Sequence, residues 1–217
     1  MTEIVKNQII LSDVRLDRVS LTQPYKSKQA NADPNKKDKY HIDVILAQAH
    51  PQFASLQQVI RGVATARWKE QTQQTLDMIS SNNMRFCLQR GDQYRPGKPQ
   101  YAGLLFVSAG NEEQPTIVVS ENGVNIANRN TPTVLTPSHP CWPYAGSYCN
   151  VHLQFYCYTY QNSPGLAASV LGVQFYRHGE RLRGASVSSA SEFGIVPGAA
   201  DGPPPSQPAG GGGAGLI

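Results

Sequence analysis

Apolar and polar side chains alternate strictly over the thirteen residues YCNVHLQFYCYTY, from Tyr148 to Tyr160. One face of this segment is apolar and consists of Cys149, Val151, Leu153, Phe155 and Cys157. The other face carries tyrosines, amides and a histidine but no acid, and consists of Tyr148, Asn150, His152, Gln154, Tyr156, Tyr158 and Tyr160. A period of two over this length predicts a β-strand with one face on a core.

Looser alternation predicts further strands on both sides of this one. Residues 5–22 form the first, and their alternation breaks between Leu11 and Val14, which predicts a bend or bulge. The second covers residues 39–47, with Tyr40, Ile42, Val44 and Leu46 on its core face and Lys39, His41 and Asp43 on the other. Four further strands are predicted at residues 84–90, 104–109, 116–120 and 165–176.

One amphipathic helix is predicted after His50-Pro51, because proline is accepted in the first turn of a helix. Its apolar positions recur every three or four residues, at Phe53, Leu56, Ile60, Val63, Ala64 and Trp68. The glutamine-rich residues 71–83 are expected to continue or end this helix.

Short strands, frequent turns and one helix between early strands predict a mainly β protein. The expected fold is a five-stranded Greek-key barrel of the OB type, with a jelly roll or sandwich as the alternative. This domain is expected to cover residues 1–193. Residues 194–217 are rich in Gly, Pro, Ala and Ser, including GPPPSQPAGGGGAG, which predicts a disordered tail.

The chain has 217 residues and a formal net charge of +4. Residues 15–39 alone contain seven bases and three acids, an excess equal to that of the whole chain. A basic stretch beside a sheet attracts phosphate without sequence preference. The alternative is a solvated loop that keeps the protein soluble. The lysines at the end of this stretch are Lys26, Lys28, Lys36, Lys37 and Lys39.

No catalytic motif is found: the sequence has neither a glycine-rich phosphate loop nor a GxSxG elbow. Asp43 and Asp92 are interpreted as loop or surface acids, and an enzyme is not expected. No metal or cofactor is expected either, because His139, Cys141, Cys149 and His152 do not have the spacing of a zinc site. Unpaired cysteines and the lack of a signal peptide or membrane span predict a cytoplasmic protein.

The acid-free aromatic face suits stacking on the bases of a single-stranded nucleic acid. The same face could instead be covered by a helix or a second subunit. In the first case the rings that would stack on bases are Tyr148, Tyr156, Tyr158 and Tyr160. Phosphates would be contacted by the five lysines named above together with Arg95 and Lys98. Trp142 is either a stacking ring or a staple of its proline-rich loop. The remaining candidates are His41, Tyr101 and His152.

The order of several segments resembles the OB-fold single-stranded-DNA-binding proteins of tailed bacteriophages. They are KYHIDVIL, GDQYRP, YAGLLFVSAG, QPTIVV, YAGSYCNVHLQFYCYTYQ, GLAASVLGVQFYRHGERL and SEFG, and the likeness covers about residues 5–193. It implies a non-enzymatic protein that coats single-stranded DNA in phage replication, recombination and repair.

The same resemblance implies phage replication proteins as partners, and a monomer or homodimer is expected. Family members commonly end in an acidic tail, whereas residues 194–217 here contain one acid, Asp201. Two other readings stay open at this point. One is a structural or assembly β-sandwich protein that uses the aromatic face as a subunit interface. The other is an OB module that binds RNA.

Overall fold

The computed structural model describes residues 6–25, 37–119 and 133–182. The predicted domain end near residue 193 and the predicted tail lie outside these residues and stay predictions. Eight strands occur in the described part: β1 (Gln8–Tyr25), β2 (Lys39–Leu46), β3 (Leu88–Arg90), β4 (Leu105–Asn111), β5 (Thr116–Val119), β6 (Thr133–Val134), β7 (Tyr148–Tyr160) and β8 (Ser163–Arg177). The helices are α1 (Phe53–Trp68), α2 (Thr72–Ser80) and the single turn α3 (Gly91–Tyr94).

Five of the strands close into a barrel in the order β4-β2-β1-β7-β8, and a parallel contact between β4 and β8 completes it at Ala109 and Ala168. Residues 85–87 run between these two strands beside the closure. Leu166 donates its N–H to the carbonyl of Arg85, and Ser108 donates to that of Cys87. The prediction of an OB-type barrel is thereby confirmed, with β3, β5 and β6 as additions to its edges.

The break in the alternation of β1 is a bulge. The register between β1 and β7 shifts between Leu11 and Val14, where Asp13 has a φ of 51°. A second irregularity against β2 follows Asp17, next to Arg18 with a φ of 48°. These bulges let one long strand bend and pair with both of its neighbours, which a barrel requires.

The core lies where the sequence pattern predicts it. Val151, Leu153 and Phe155 of β7 are completely buried, and Cys157 is partly buried. Helix α1 packs its buried residues, among them Leu56 and Ile60, into the same cluster. The helix therefore closes the barrel with its apolar stripe, and its polar face stays in solvent.

Three local predictions differ from the structure. The predicted strand at residues 84–90 is a strand only over Leu88–Arg90. Residues 71–83, expected to continue or end the helix, contain a separate helix, α2, because Lys69 has a φ of 52° and turns the chain after α1. The predicted loop at residues 125–143 contains the two-residue strand β6, while its first part lies outside the described residues.

A second, smaller apolar cluster lies outside the barrel. Residues 91–104 fold over the outer face of β2 and β4, where Ile45, Tyr101 and Phe106 pack together. Residues 91–104 therefore bury one end of the outer face of β2, the face that the alternation predicted to point away from the core. Among the described helices, none combines the length and apolar character that crossing a membrane requires.

Candidate nucleic-acid interface

Tyr156 lies on the outer face of β7, beside the start of β2 and the end of β4. Its ring is 38% exposed and lines an open pocket of about 400 Å³. The other residues of this pocket are Lys37, Lys39, Gly110, Asn111, Glu112, Glu113 and Ser169. The pocket thus combines an exposed aromatic ring with two of the predicted lysines.

The two lysines of this pocket point at one carboxylate. Lys37 Nζ lies 3.3 Å from Glu112 Oε2, and Lys39 Nζ lies 3.8 Å from Glu112 Oε1. Both ammonium groups are partly or largely exposed, so each ion pair contributes little to stability. Both lysine side chains therefore reach the same anionic group.

Tyr158 is more constrained than its neighbour. Its hydroxyl donates to the carbonyl of Met84 at 2.8 Å, and its ring lies over Gly165 of β8. A Cβ atom at Gly165 would stand 2.6 Å from Tyr158 Cε1, so only glycine fits there. Burial raises the pKa of Tyr158, which keeps the hydroxyl protonated as a donor. The Tyr156 and Tyr158 ring centroids are 6.5 Å apart.

Tyr160 ends the aromatic series at the tip of the β7–β8 hairpin. The tip is a two-residue turn in which Gln161 and Asn162 have φ values of 49° and 58°. Tyr160 is 57% exposed, and the Arg85 guanidinium lies 5.5 Å from its ring centroid. Arg85 also donates to the carbonyl of Tyr160 at 3.1 Å. A third ring and a cation therefore stand beyond Tyr156 and Tyr158.

Tyr148 is at the opposite end of β7, eight residues or about 27 Å from Tyr156. The Arg177 guanidinium lies 3.5 Å from its ring centroid, and that of Arg15 lies 5.9 Å away. A Cβ atom at Gly179 would stand 2.9 Å from the ring, which shows close packing on that side. The structure thus separates Tyr148 from the other three predicted tyrosines.

The predicted surface acid Asp43 is wholly buried, so this interpretation was wrong. Tyr101 donates its hydroxyl to Asp43 Oδ2 at 3.0 Å, and Arg95 Nη2 lies 3.0 Å from the same oxygen. His41 Nε2 lies 3.1 Å from Asp43 Oδ1. Burial alone would raise the pKa of Asp43, but the hydrogen bond and charge of His41, with Arg95 and Arg18, hold it below its ordinary value.

This buried network changes the status of three candidates. Tyr101 is 0% exposed, so its assignment to a base-contacting surface was wrong. Burial and the nearby charges of Asp43 and Asp17 raise its pKa, and it remains a hydrogen-bond donor inside the protein. Arg95 and His41 contact Asp43, and their role in DNA binding stays a prediction.

The remaining candidates lie apart from the pocket around Tyr156. Trp142 is partly buried against the core, which agrees with a staple of its loop. Lys98 is exposed in the loop before the turn Pro99–Tyr101. His152 lines a groove beside α1. Three lysines, Lys26, Lys28 and Lys36, lie outside the described residues.

Three residues near Tyr156 were missed by the sequence analysis. Tyr25 is 51% exposed at the end of β1 and pairs with Lys39 across the strands. Arg85 and Glu112 reach the same surface from the segment before β3 and from the turn after β4. Tyr25 could have been found from its place beside the basic loop, but no local pattern singles out Arg85 or Glu112.

Burial raises the pKa of three of the four thiols, those of Cys87, Cys149 and Cys157. Cys149 is buried in the core, where burial raises its pKa to about 12, and His152 lies on the opposite face of the same strand. Burial likewise raises the pKa of Cys87 to about 12. Within the described part of the chain, no three His, Cys, Asp or Glu side chains are grouped to hold a metal ion.

Comparison with known proteins identifies relatives of the whole barrel. Residues 7–202 match the family described as Enterobacter phage Enc34, ssDNA-binding protein. Protein p50 of Acyrthosiphon pisum secondary endosymbiont phage 1 is 28% identical over 182 residues, which cover 83% of this chain and 91% of that protein.

Solved structures agree in fold. The single-stranded DNA-binding protein from bacteriophage Enc34, in complex with ssDNA, has a TM-score of 0.62 at 16% identity, over 81% of this chain and 89% of that one. Its C-terminal truncation has a TM-score of 0.58 at 17% identity, over 81% and 88% of the two chains. The family match extends over most of the sequence, and the resemblance seen in its motifs is confirmed. The chain belongs to the Enc34 family of phage single-stranded-DNA-binding proteins.

Proposed function

We propose that this protein binds single-stranded DNA without sequence preference through the surface around Tyr156. The observation that carries the proposal is the exposed Tyr156 ring beside two lysines, Lys37 and Lys39, whose ammonium groups converge on one point. A ring offers a stacking platform to any base, at about 1–3 kcal/mol per base. Two converging cations suit the phosphate that follows the base.

The surface continues from this pocket in both directions. Tyr158 and Tyr160 extend it toward Arg85, and Tyr25 borders it on the side of β1. Lys26, Lys28 and Lys36, which precede Lys37 in the sequence, are included in the proposal as further phosphate contacts. Tyr148 is left out because of its distance, and Tyr101 because of its burial. Lys98, Trp142, Arg95 and His41 are peripheral in this proposal.

The biological role that we propose is protection of single-stranded DNA during phage replication, recombination and repair, in the cytoplasm of the host cell. Family membership and the similar fold of a protein solved with ssDNA support this role. We further propose that the protein has no catalytic activity, acts as a monomer or homodimer, and meets phage replication proteins at the DNA.

The test is fluorescence anisotropy with labelled oligo-dT, competed by duplex DNA and by RNA of equal length. Tight binding of oligo-dT with weak competition by duplex is expected, because the bases of a duplex are already stacked. Competition by RNA as strong as that by DNA would indicate an RNA-binding module, because the site then accommodates the 2′-hydroxyl. Failure to bind any oligonucleotide at low salt would leave the aromatic surface as a subunit interface.

A double variant, Lys37→Gln with Lys39→Gln, tests the phosphate part separately. Loss of two phosphate contacts should reduce the slope of log K against log salt by about 1.4 for a single strand. Arg67→Gln with Lys69→Gln is the matched control, because both are exposed cations at the end of α1 outside the pocket. Equal slopes for both double variants would exclude a specific phosphate site at these lysines.

A further inference from the structure

A groove of about 1140 Å³ runs between helix α1 and the beginning of β1. Its walls are the polar face of the helix and the residues at the start of the first strand. His152 of β7 also lines the groove. The helix contributes Ser55, Gln58, Val59, Arg61, Gly62, Thr65 and Ala66, while Lys6, Gln8, Ile9, Ile10 and Gln52 complete the lining.

The described lining contains two cations and no acid. Arg61 Nη2 donates to Gln73 Oε1 at 2.8 Å, and Gln73 Nε2 in turn donates to Asp77 Oδ1 at 2.8 Å, so Arg61 reaches an acid only through a neutral amide. Lys6 is exposed at the opposite wall. Two cations in an amide-rich groove whose described lining contains no acid favour a polyanion over a neutral or basic occupant.

The floor of the groove, defined here by Ile10, Gly62 and Ala66, is apolar. Ile10 is exposed, and Gly62 and Ala66 place almost no side chain into the groove. Gln8 and His152 meet across it, with His152 Nε2 3.1 Å from Gln8 Oε1. Apolar floor, neutral hydrogen-bonding groups and cationic edges together match the three parts of a nucleotide: base or sugar, base edges and phosphate.

The groove is continuous with the surface around Tyr156. His152 and Tyr156 lie on the same outer face of β7, four residues or about 13 Å apart. Only Gln154 stands between them on this face, and it pairs with Gln8 of β1. A DNA strand that leaves Tyr156 and follows β7 therefore crosses neutral amides and meets no acid on this face before it reaches the groove.

We propose that this groove holds the continuation of the bound single strand, with Lys6 and Arg61 at its phosphates and His152 at the entrance. The inference rests on the proposed function and extends it, because it makes α1 part of the binding site. The protein would then contact more nucleotides than the Tyr156 pocket and its flanking rings can contact alone.

The experiment compares oligo-dT probes of about 5, 10, 15 and 20 nucleotides, since one OB fold covers roughly 4–16 nucleotides. The groove variant is Lys6→Gln with Arg61→Gln, and a second variant, Thr65→Glu, places an acid in the groove. All three positions are exposed, so the fold should persist. Arg67→Gln with Lys69→Gln again removes two cations that do not line the groove.

The parent and the control should bind the longer probes more tightly than the shortest. Lys6→Gln with Arg61→Gln should lose most of that gain, and its salt slope should fall by about 1.4 on the longest probe but not on the shortest. Thr65→Glu should weaken the long probe in the same selective way.

Equal losses in the groove variant and the control would overturn the inference, because they would report net charge alone. So would an unchanged length dependence in the groove variants. A change of oligomeric state in these variants, measured by sedimentation with DNA binding intact, would assign the groove to a second copy instead. If the parent itself binds no probe, the proposed function is wrong, and the groove assignment is rejected together with it.

Discussion

The Arg95 guanidinium and the Asp43 carboxylate are 3.0 Å apart beneath the outer surface of β2. Arg95 also stacks on Phe106, with its guanidinium 4.6 Å from the ring centroid. Asp17 faces Asp43 directly across β1 and β2, and both acids are buried. The ion pair between Arg95 and Asp43 therefore holds residues 91–104 against the barrel. It also compensates the charge of one of two adjacent buried acids. It lies on the side of the protein next to the proposed DNA surface.

Replacing Asp43 with Asn should destabilise the protein by roughly 3 kcal/mol. Breaking a buried ion pair from one side costs about 3–5 kcal/mol, and the low end applies because Arg95 and Arg18 keep some solvent access. Urea denaturation at neutral pH measures this difference. Asp77→Asn, at an exposed acid of α2, is the control and should change stability by less than about 0.5 kcal/mol.

The same variant predicts a pH dependence. The pKa of Asp43 is lowered in the folded state by His41, Arg95 and Arg18, so the native structure favours its ionised form. The stabilisation is complete above the ordinary value of 3.8 and is lost as the pH falls through the lower folded-state pKa. The difference between parent and Asp43→Asn should therefore be smaller near pH 3 than at about pH 5. A difference that grows between pH 5 and pH 3 would contradict this account.

Gly165→Ala should destabilise the protein by about 1–3 kcal/mol, because the added Cβ enters the Tyr158 ring. Gly172→Ala is a matched control in the same strand, where the nearest atom, the carbonyl oxygen of Thr116, would be 3.4 Å away. Thermal unfolding of both variants makes the comparison. Equal melting temperatures would mean that the Tyr158 ring moves aside freely and is not held over β8.

Tyr156→Ala should weaken the binding of oligo-dT by about 1–3 kcal/mol, the value of one stacked base. Its control is Tyr176→Ala, since Tyr176 is 58% exposed near the opposite end of β8. Neither truncation opens the core, so melting temperatures should stay close to that of the parent. Equal affinity of the two variants would remove Tyr156 from the site.

Glu112→Gln should tighten the binding of oligo-dT at low salt by about 0.5–1.5 kcal/mol, because its carboxylate competes with phosphate for Lys37 and Lys39. The gain should fade at high salt, where exposed charges are screened. Glu113→Gln serves as the control, since this neighbouring acid lines the same pocket but forms no ion pair with a described residue. A larger gain from Glu113→Gln would contradict the role given to Glu112.

Much of the fold was predictable because each prediction depended on a local repeat. The alternation in β7 predicted its buried face, the break after Leu11 predicted the bulge of β1, and the three- and four-residue spacing predicted α1. Where repeats were short, boundaries were less accurate. The predicted strand at residues 84–90 is mostly a connection that pairs beside the barrel closure.

The site was predicted only in part, because alternation identifies a face but not its neighbours. The candidates Tyr156, Lys37 and Lys39 line one pocket, although the tyrosine lies far from the two lysines in the chain. Their contact with DNA stays a prediction. Tyr101 was wrongly placed on the surface, since nothing local to it reveals that residues 91–104 fold over β2. Glu112 and Arg85 join the surface through turns whose direction is set by the closed barrel.

The sequence by itself determined the periodicity of the strands, the amphipathic helix, the excess of basic residues and the motif order that places the chain in its family. These depend on residues near one another in the chain. Only the tertiary structure decided which tyrosines are exposed, which acids are buried and which cations share a pocket. Barrel closure brings β2, β4, β7 and β8 together across long separations, and such contacts leave no local pattern in the sequence.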